Sequence, residues 1–131
     1  MTVVVGYLST PEGREALSTA VDEAIARRVE LLVVVSDKDG RSLPEQEGER
    51  VEEIARITAP LDAAGLGHRV VPGTGELAED LVATAEAHHA ELIVIGLRRR
   101  SPVGKLILGS NAQRILLDSP CPVLAVKPDR A

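Results

Sequence analysis

The stretch Thr2-Val3-Val4-Val5-Gly6-Tyr7-Leu8-Ser9-Thr10-Pro11-Glu12 decides the fold. Its β-branched run suits a strand buried on both faces, and the residues after it start a helix. Ser9 and Glu12 have capping-box spacing, and Pro11 suits the first helical turn. Leu17, Val21 and Ile25 then recur with Ala20 and Ala24 beside them, which gives the helix one apolar face.

The same alternation runs through the chain. Further short β-branched runs lie at Glu30–Val35, His68–Val71, Glu91–Ile95 and Pro122–Val126. A second helix carries Val51, Ile54, Ala55, Thr58 and Leu61, with Gly65 placed to end it. A third runs from about Glu76 to His89 with Leu77, Leu81 and Ala85 on one side. A fourth begins near Ser110, where Ser110 and Gln113 repeat the capping-box spacing, and ends before Pro120. Ser36–Gly48, with its glycines, proline and charges, reads as a mobile loop. Strands alternating with helices predict an α/β three-layer sandwich: a parallel sheet, right-handed crossovers and helices on both faces. Neither an internal repeat nor a linker divides the 131 residues, so residues 1–131 are expected to form a single domain.

Composition narrows the function. Apolar residues make up 44% of the chain and charged residues 27%, an ordinary globular balance, and Tyr7 is the sole aromatic. A net charge of −5 argues against general nucleic-acid binding, because phosphate backbones reward a basic face. No apolar run approaches the ~20 residues that span a bilayer, and Met1–Val5 reads as a strand rather than a signal peptide. Cys121 is the only cysteine, so no disulfide framework is expected. A cytoplasmic protein is the reading these features support.

Ligands of open α/β sheets sit beyond the carboxyl ends of the strands, where the winding reverses. The loop from Gly96 to Ser110 stands out among those ends. It passes Arg98, Arg99 and Arg100, then Gly104 and Lys105, and reaches Gly109-Ser110 at a helix start. Glycines let a backbone approach a ligand, and the free N–H groups at a helix start attract phosphate. A plain Gly-rich turn with solvated arginines would carry the same residues.

These residues also carry a resemblance. Ile95-Gly96-Leu97-Arg98-Arg99, Gly109-Ser110, Ile115-Leu116 and Cys121-Pro122-Val123-Leu124-Ala125-Val126 together resemble the universal stress protein family over the whole chain. The family signature is Gly, two residues, Gly, nine residues, then Gly-Ser or Gly-Thr. Gly96, Gly109 and Ser110 match it; Arg99 stands where the second glycine would be. The resemblance implies an adenine nucleotide α-hydrolase-like fold with a five-stranded parallel sheet in order 3-2-1-4-5. It implies ATP or AMP as ligand, with Leu8, Ser36, Ile95 and Gly96 near the base and ribose. Gly109, Ser110, Asn111 and Ala112 would meet the phosphates, with Arg98 and Arg99 in the same loop; as a departure from the signature, the Arg99 side chain would either clamp phosphate or fill the space that a triphosphate needs. ATP-binding members carry Asp where Leu8 stands here, so one hydrogen bond to base or ribose is missing. Family members also commonly dimerise through the last strand, which implies a homodimer across Pro122–Val126 with Val123, Leu124 and Val126 at the seam.

Other polar residues have plainer readings. His88 and His89 are adjacent and point about 100° apart on a helix, so they do not chelate one metal. His68 has no ligand at metal spacing, and no structural metal is expected. Asp37 and Asp39 lack the remaining residues of a calcium loop. Cys121, between two prolines, reads as a small buried hydrophobe. No Walker motif, nucleophile elbow or dinucleotide fingerprint is present, so the chain reads as a binding protein and at most a slow ATPase. Two functions stand at this stage. One is a nucleotide-binding module in stress response or signalling; the other is a ligand-free dimeric interaction protein whose glycine loop is vestigial.

Overall fold

Alternate residues of the first strand point to opposite sides of the sheet, and every one of them is buried. In β1 (Thr2–Tyr7), Val3, Val5 and Tyr7 face one apolar cluster and Val4 faces another. That places β1 in the middle of a covered sheet, as a β-branched run without polar alternation predicts. The computed structural model describes residues 1–8, 10–35, 44–74, 76–97 and 110–127.

The remaining elements follow in strict alternation: α1 (Pro11–Arg27), β2 (Glu30–Val35), α2 (Pro44–Ala63), β3 (His68–Pro72), α3 (Leu77–Ala87), β4 (Ala90–Gly96), α4 (Ser110–Asp118) and β5 (Val123–Val126). They form a five-stranded sheet in order β3-β2-β1-β4-β5, and every pairing is parallel. Val3, Val4 and Val5 stand opposite Leu31, Leu32 and Val33 on one side, and opposite Leu92, Ile93 and Val94 on the other. One face packs Leu17, Val21 and Ala24 of α1 and Ile54 and Leu61 of α2 against Val3, Val5, Leu31 and Val33. The other packs Leu81 and Ala85 of α3 and Ile115 of α4 against Val4, Leu32 and Ile93.

Several local expectations change. The N-cap of α1 is Thr10 rather than Ser9: the Thr10 hydroxyl accepts from the Gly13 N–H at 3.1 Å. The proline at the first helical position fixes this register, because it has no N–H to be capped. Helix α2 begins at Pro44, inside the stretch expected to be a loop, so Gly48 is helical. Proline at the first turn of a helix outweighs the glycine that follows. Val51 and Ala55 face solvent, and the core side of α2 is Ile54, Thr58 and Leu61. Ser110 is the first residue of α4 itself. Cys121 is half-buried and free rather than fully enclosed. Strand β3 is largely exposed on both faces, as an edge strand can be, whereas the edge strand β5 is half-buried throughout.

The caps at the other helix ends follow backbone chemistry. Gly65 takes a φ of +76° after α2, a conformation glycine adopts without strain. Arg28 does the same work after α1 at a φ of +57°, where a side chain is strained. Its N–H reaches the carbonyls of Ala24 and Ile25. Among the described residues, no helix is long and apolar enough to cross a membrane.

Candidate functional site

The chain winds from β1 outward to β2 and β3, then returns to the other side of β1 to lay down β4 and β5. The winding therefore reverses between β1 and β4, the place where an open α/β sheet leaves a crevice at its carboxyl edge. A cavity of about 70 Å³ lies there. Gly6 and Leu8 at the end of β1, and Ile95 and Gly96 at the end of β4, form its floor. Leu77 borders it from the start of α3, and Asn111, Ala112 and Ile115 border it from α4. Glu12 and Gly13, in the first turn of α1, close the remaining side.

Two glycines explain how closely the start of α1 approaches the ends of β1 and β4. A Cβ at Gly13 would lie 1.9 Å from the carbonyl oxygen of Leu8, and one at Gly96 would lie 2.4 Å from that of Glu12. Both obstacles are backbone, which cannot swing aside. The sequence reading of Gly96 as room for a ligand thus gains a structural counterpart: this glycine makes room for α1. It lines the cavity as well.

Of the residues singled out in the sequence, Leu8, Ile95, Gly96, Asn111 and Ala112 come together around this one cavity. Ser110 opens α4 next to Asn111. Ser36, Arg98, Arg99 and Gly109 lie outside the described residues, as do Asp37 and Asp39. Sequence reasoning passed over Gly6, Glu12, Gly13, Leu77 and Ile115. Glu12, Gly13 and Leu77 each follow within a few residues of a loop that leaves the carboxyl end of a strand, and that adjacency was the signal available.

The lining is mostly apolar, and its polar members are Glu12 and Asn111. Asn111 is exposed, so its amide is free to meet a solute. The start of α4 adds backbone N–H groups and the positive end of a helix dipole. The start of α1 is different. Pro11 has no N–H, the Gly13 N–H is taken by the Thr10 hydroxyl, and the Arg14 N–H by the Thr10 carbonyl. The start of α1 therefore has at least two of its N–H groups bonded within its own turn. No group of three or more His, Cys, Asp or Glu among the described residues could hold a metal ion.

Beyond the cavity lining, the turn after β3 is fastened by hydrogen bonds. Asp80 of α3 accepts from the Thr74 N–H at 2.7 Å and from the Thr74 hydroxyl at 2.8 Å, while the Gly73 N–H donates to Val35. The turn after β3 is thereby tied both to α3 and to the end of β2.

Comparison with known proteins agrees with this architecture. The sequence matches the universal stress protein family over residues 1–127. A universal stress protein of Mycolicibacterium smegmatis is 41% identical over 127 residues, covering 96% of this chain and 97% of that protein. The structure of a universal stress protein from Archaeoglobus fulgidus superposes with a TM-score of 0.74 at 32% identity, over 97% of this chain and 98% of that one. A universal stress protein from the same organism, solved in complex with dAMP, gives a TM-score of 0.70 at 27% identity with the same coverage. The chain, with its five parallel strands and its crevice between β1 and β4, belongs to the universal stress protein family.

Proposed function

We propose that this protein binds an adenine nucleotide, AMP or ATP, in the crevice between β1 and β4, and that occupancy controls its conformation or its choice of partner during stress. The cavity bordered by both Gly96 and the start of α4 carries this reading. Gly96 and Asn111, the residue after the Ser110 that ends the signature, line it where the winding reverses, which supports a ligand there. The dAMP complex of the Archaeoglobus relative supports the choice of ligand class. In this reading Gly109, Ser110, Asn111 and the loop arginines Arg98 and Arg99 meet phosphate. Leu8, Ser36, Ile95 and Gly96 lie by the base and ribose.

The protein acts by binding rather than by turnover. The sequence carries no Walker motif or nucleophile elbow, and in this reading hydrolysis of ATP is at most slow. It works in the cytoplasm as a homodimer in which β5 pairs antiparallel with its copy; an apolar edge strand invites such pairing. Sedimentation as a monomer at micromolar concentration would refute the dimer.

A second reading has one observation in its favour. Leu8 leaves the end of β1 without a side-chain hydrogen bond to offer a base or ribose, and the cavity around it is mainly apolar. In that reading the protein is a dimeric interaction module with no nucleotide. Calorimetric titration with AMP, ATP and inorganic phosphate separates the two. Saturable heat with a nucleotide, larger than with phosphate, supports the first. No heat and no thermal shift at millimolar nucleotide refutes it.

A further inference from the structure

We infer that the outer face of α3 and α4 is a docking groove for a basic amphipathic helix of a partner protein, in which Glu86 and Asp118 meet the partner's lysines or arginines. The groove lies apart from the crevice between β1 and β4, and the inference stands whether or not a nucleotide binds there.

Both helices cover the same face of the sheet, and each returns the chain from the carboxyl ends of the strands to their amino ends. They therefore run parallel, with their N-termini by the crevice and their C-termini towards the opposite edge. Between them lies a cavity of about 180 Å³, against about 70 Å³ for the one in the crevice. Ala78, Val82 and Ala83 of α3 give it an apolar floor. Glu79, Val82, Ala83 and Glu86 stand at i, i+3, i+4 and i+7, so α3 turns one stripe towards the groove. Arg114 and Asp118, one turn apart, border it from α4.

The charges along this groove are unevenly satisfied. Arg114 meets Glu79 at 3.2 Å. Glu86 and Asp118 are exposed, and among the described residues neither side chain has a hydrogen bond or ion pair. Helix α3 contains no Lys, Arg or His, so Arg114 is the one cation that the two helices set against their carboxylates. Glu86 lies in the last turn of α3, and Asp118 is the last residue of α4. A carboxylate there faces the negative end of the helix dipole, which is unfavourable. Two unpaired carboxylates thus stand beside an apolar floor, each where it weakens its own helix. Local rules are broken in this way at functional sites.

Charge and shape select the occupant. The free carboxylates repel phosphate, which disfavours nucleic acid and an anionic membrane. A second copy presenting the same face across a two-fold axis would set these carboxylates against themselves. No group of three metal-ligating side chains forms here among the described residues, and a bare cation has no use for an apolar floor. A helix that lays small apolar side chains on Val82 and Ala83, with basic residues beside them, satisfies both features.

The test uses the full chain and a fluorescein-labelled helical peptide of leucine, alanine and lysine, with its leucines along one face. Fluorescence anisotropy is expected to show saturable binding that weakens as salt is raised. Amide resonance shifts in the isotope-labelled protein are expected on Ala78–Glu86 and Arg114–Asp118. Glu86→Gln combined with Asp118→Asn is expected to weaken binding about fivefold. The same pair should raise Tm by about 2–5 °C, because the unfavourable dipole contacts are relieved. Glu15→Gln combined with Asp22→Asn removes equal charge from exposed positions of α1, on the other face of the sheet, and should leave binding within about twofold. Ala83→Arg fills the groove with a cation at an exposed helical position and should weaken binding by about tenfold or more. A peptide of the same composition without an apolar face should bind several-fold more weakly. Absence of saturable binding, shifts confined to other elements, or equal binding of the two peptides overturns the inference. So does an equal effect of the α1 pair, which would make the attraction a diffuse one. Unchanged binding by the Glu86 and Asp118 pair overturns it as well, and a lower Tm for that pair would assign those carboxylates to stability instead.

Discussion

An alanine at position 96 would put its methyl group 2.4 Å from the carbonyl oxygen of Glu12 and 2.9 Å from the carbonyl carbon. Such separations are not tolerated, so β4 and the first turn of α1 must part by several tenths of an ångström. Neither side yields easily. Gly96 is paired with Val126 in the sheet, and Glu12 lies in a turn held by the Thr10–Gly13 cap. Overpacking of this kind costs about 1–3 kcal/mol. Loss of a glycine from the unfolded chain returns about 0.4–1 kcal/mol. The net expectation for Gly96→Ala is a loss of roughly 1–2 kcal/mol, out of the ~5–15 kcal/mol that holds a domain folded. In a chain of this length each kcal/mol moves the melting temperature by about 3–5 °C, so Tm should fall by roughly 3–10 °C. Thermal melting followed by circular dichroism, with urea titration as a second measure, reads this directly. AMP affinity should fall as well, because the same two segments wall the cavity. A variant that melts at or above the parent temperature would refute the packing role of Gly96.

Four further substitutions probe the frame around the site. Gly48→Ala, at an exposed position within α2 with nothing near its Cβ, should stabilise by about 0.5–1 kcal/mol, and a lower urea midpoint would contradict the helical placement. Thr10→Ala removes the α1 cap and should cost about 1 kcal/mol in a denaturant titration, whereas Thr10→Ser should cost much less. Arg28→Gly relieves a side chain at φ +57° and should raise Tm by the equivalent of about 1 kcal/mol; a fall would mean that the arginine side chain outweighs the strain. Tyr7→Phe removes a fully buried hydroxyl with no hydrogen-bond partner among the described residues, so it should leave stability unchanged or higher by up to about 1 kcal/mol. A loss of ~2 kcal/mol there would show that the hydroxyl is bonded.

The sheet was readable because its strands announce themselves twice, by β-branching and by position between helices. β1 and β2 match their sequence boundaries, β3 and β5 shift by a residue at one end, and β4 is a residue longer at both. The shift in β5 has a visible cause. Pro122 gives its carbonyl to the Ile93 N–H but cannot donate in return, so the strand proper starts at Val123. Helix starts were harder. Ser9 and Thr10 are both good caps, and only Pro11, by lacking an N–H, makes Thr10 the one that bonds forward to Gly13. In α2 the helical period admits Val51 as readily as Ile54, and packing against α1 leaves Val51 in solvent. Periodicity states that one face is apolar, but it does not state how wide that face is.

The site shows the same boundary between local and long-range information. A glycine in sequence signals that something passes close by, without saying what. At Gly96 the passing group is the backbone of Glu12, brought there by the topology that sets α1 against β4. This position of the signature therefore encodes the packing of the frame before it encodes any ligand, and a match there speaks first for the fold. The same holds for Gly13, whose neighbour is the carbonyl of Leu8. Selectivity has to come from the residues that these contacts bring to the rim. Leu8 at the end of β1, Glu12 at the start of α1 and Asn111 in α4 line the cavity, and none of them belongs to the glycine pattern. Relatives that share the signature can therefore share the crevice and differ in the side chains at its rim, which is where the glycine pattern stops being informative.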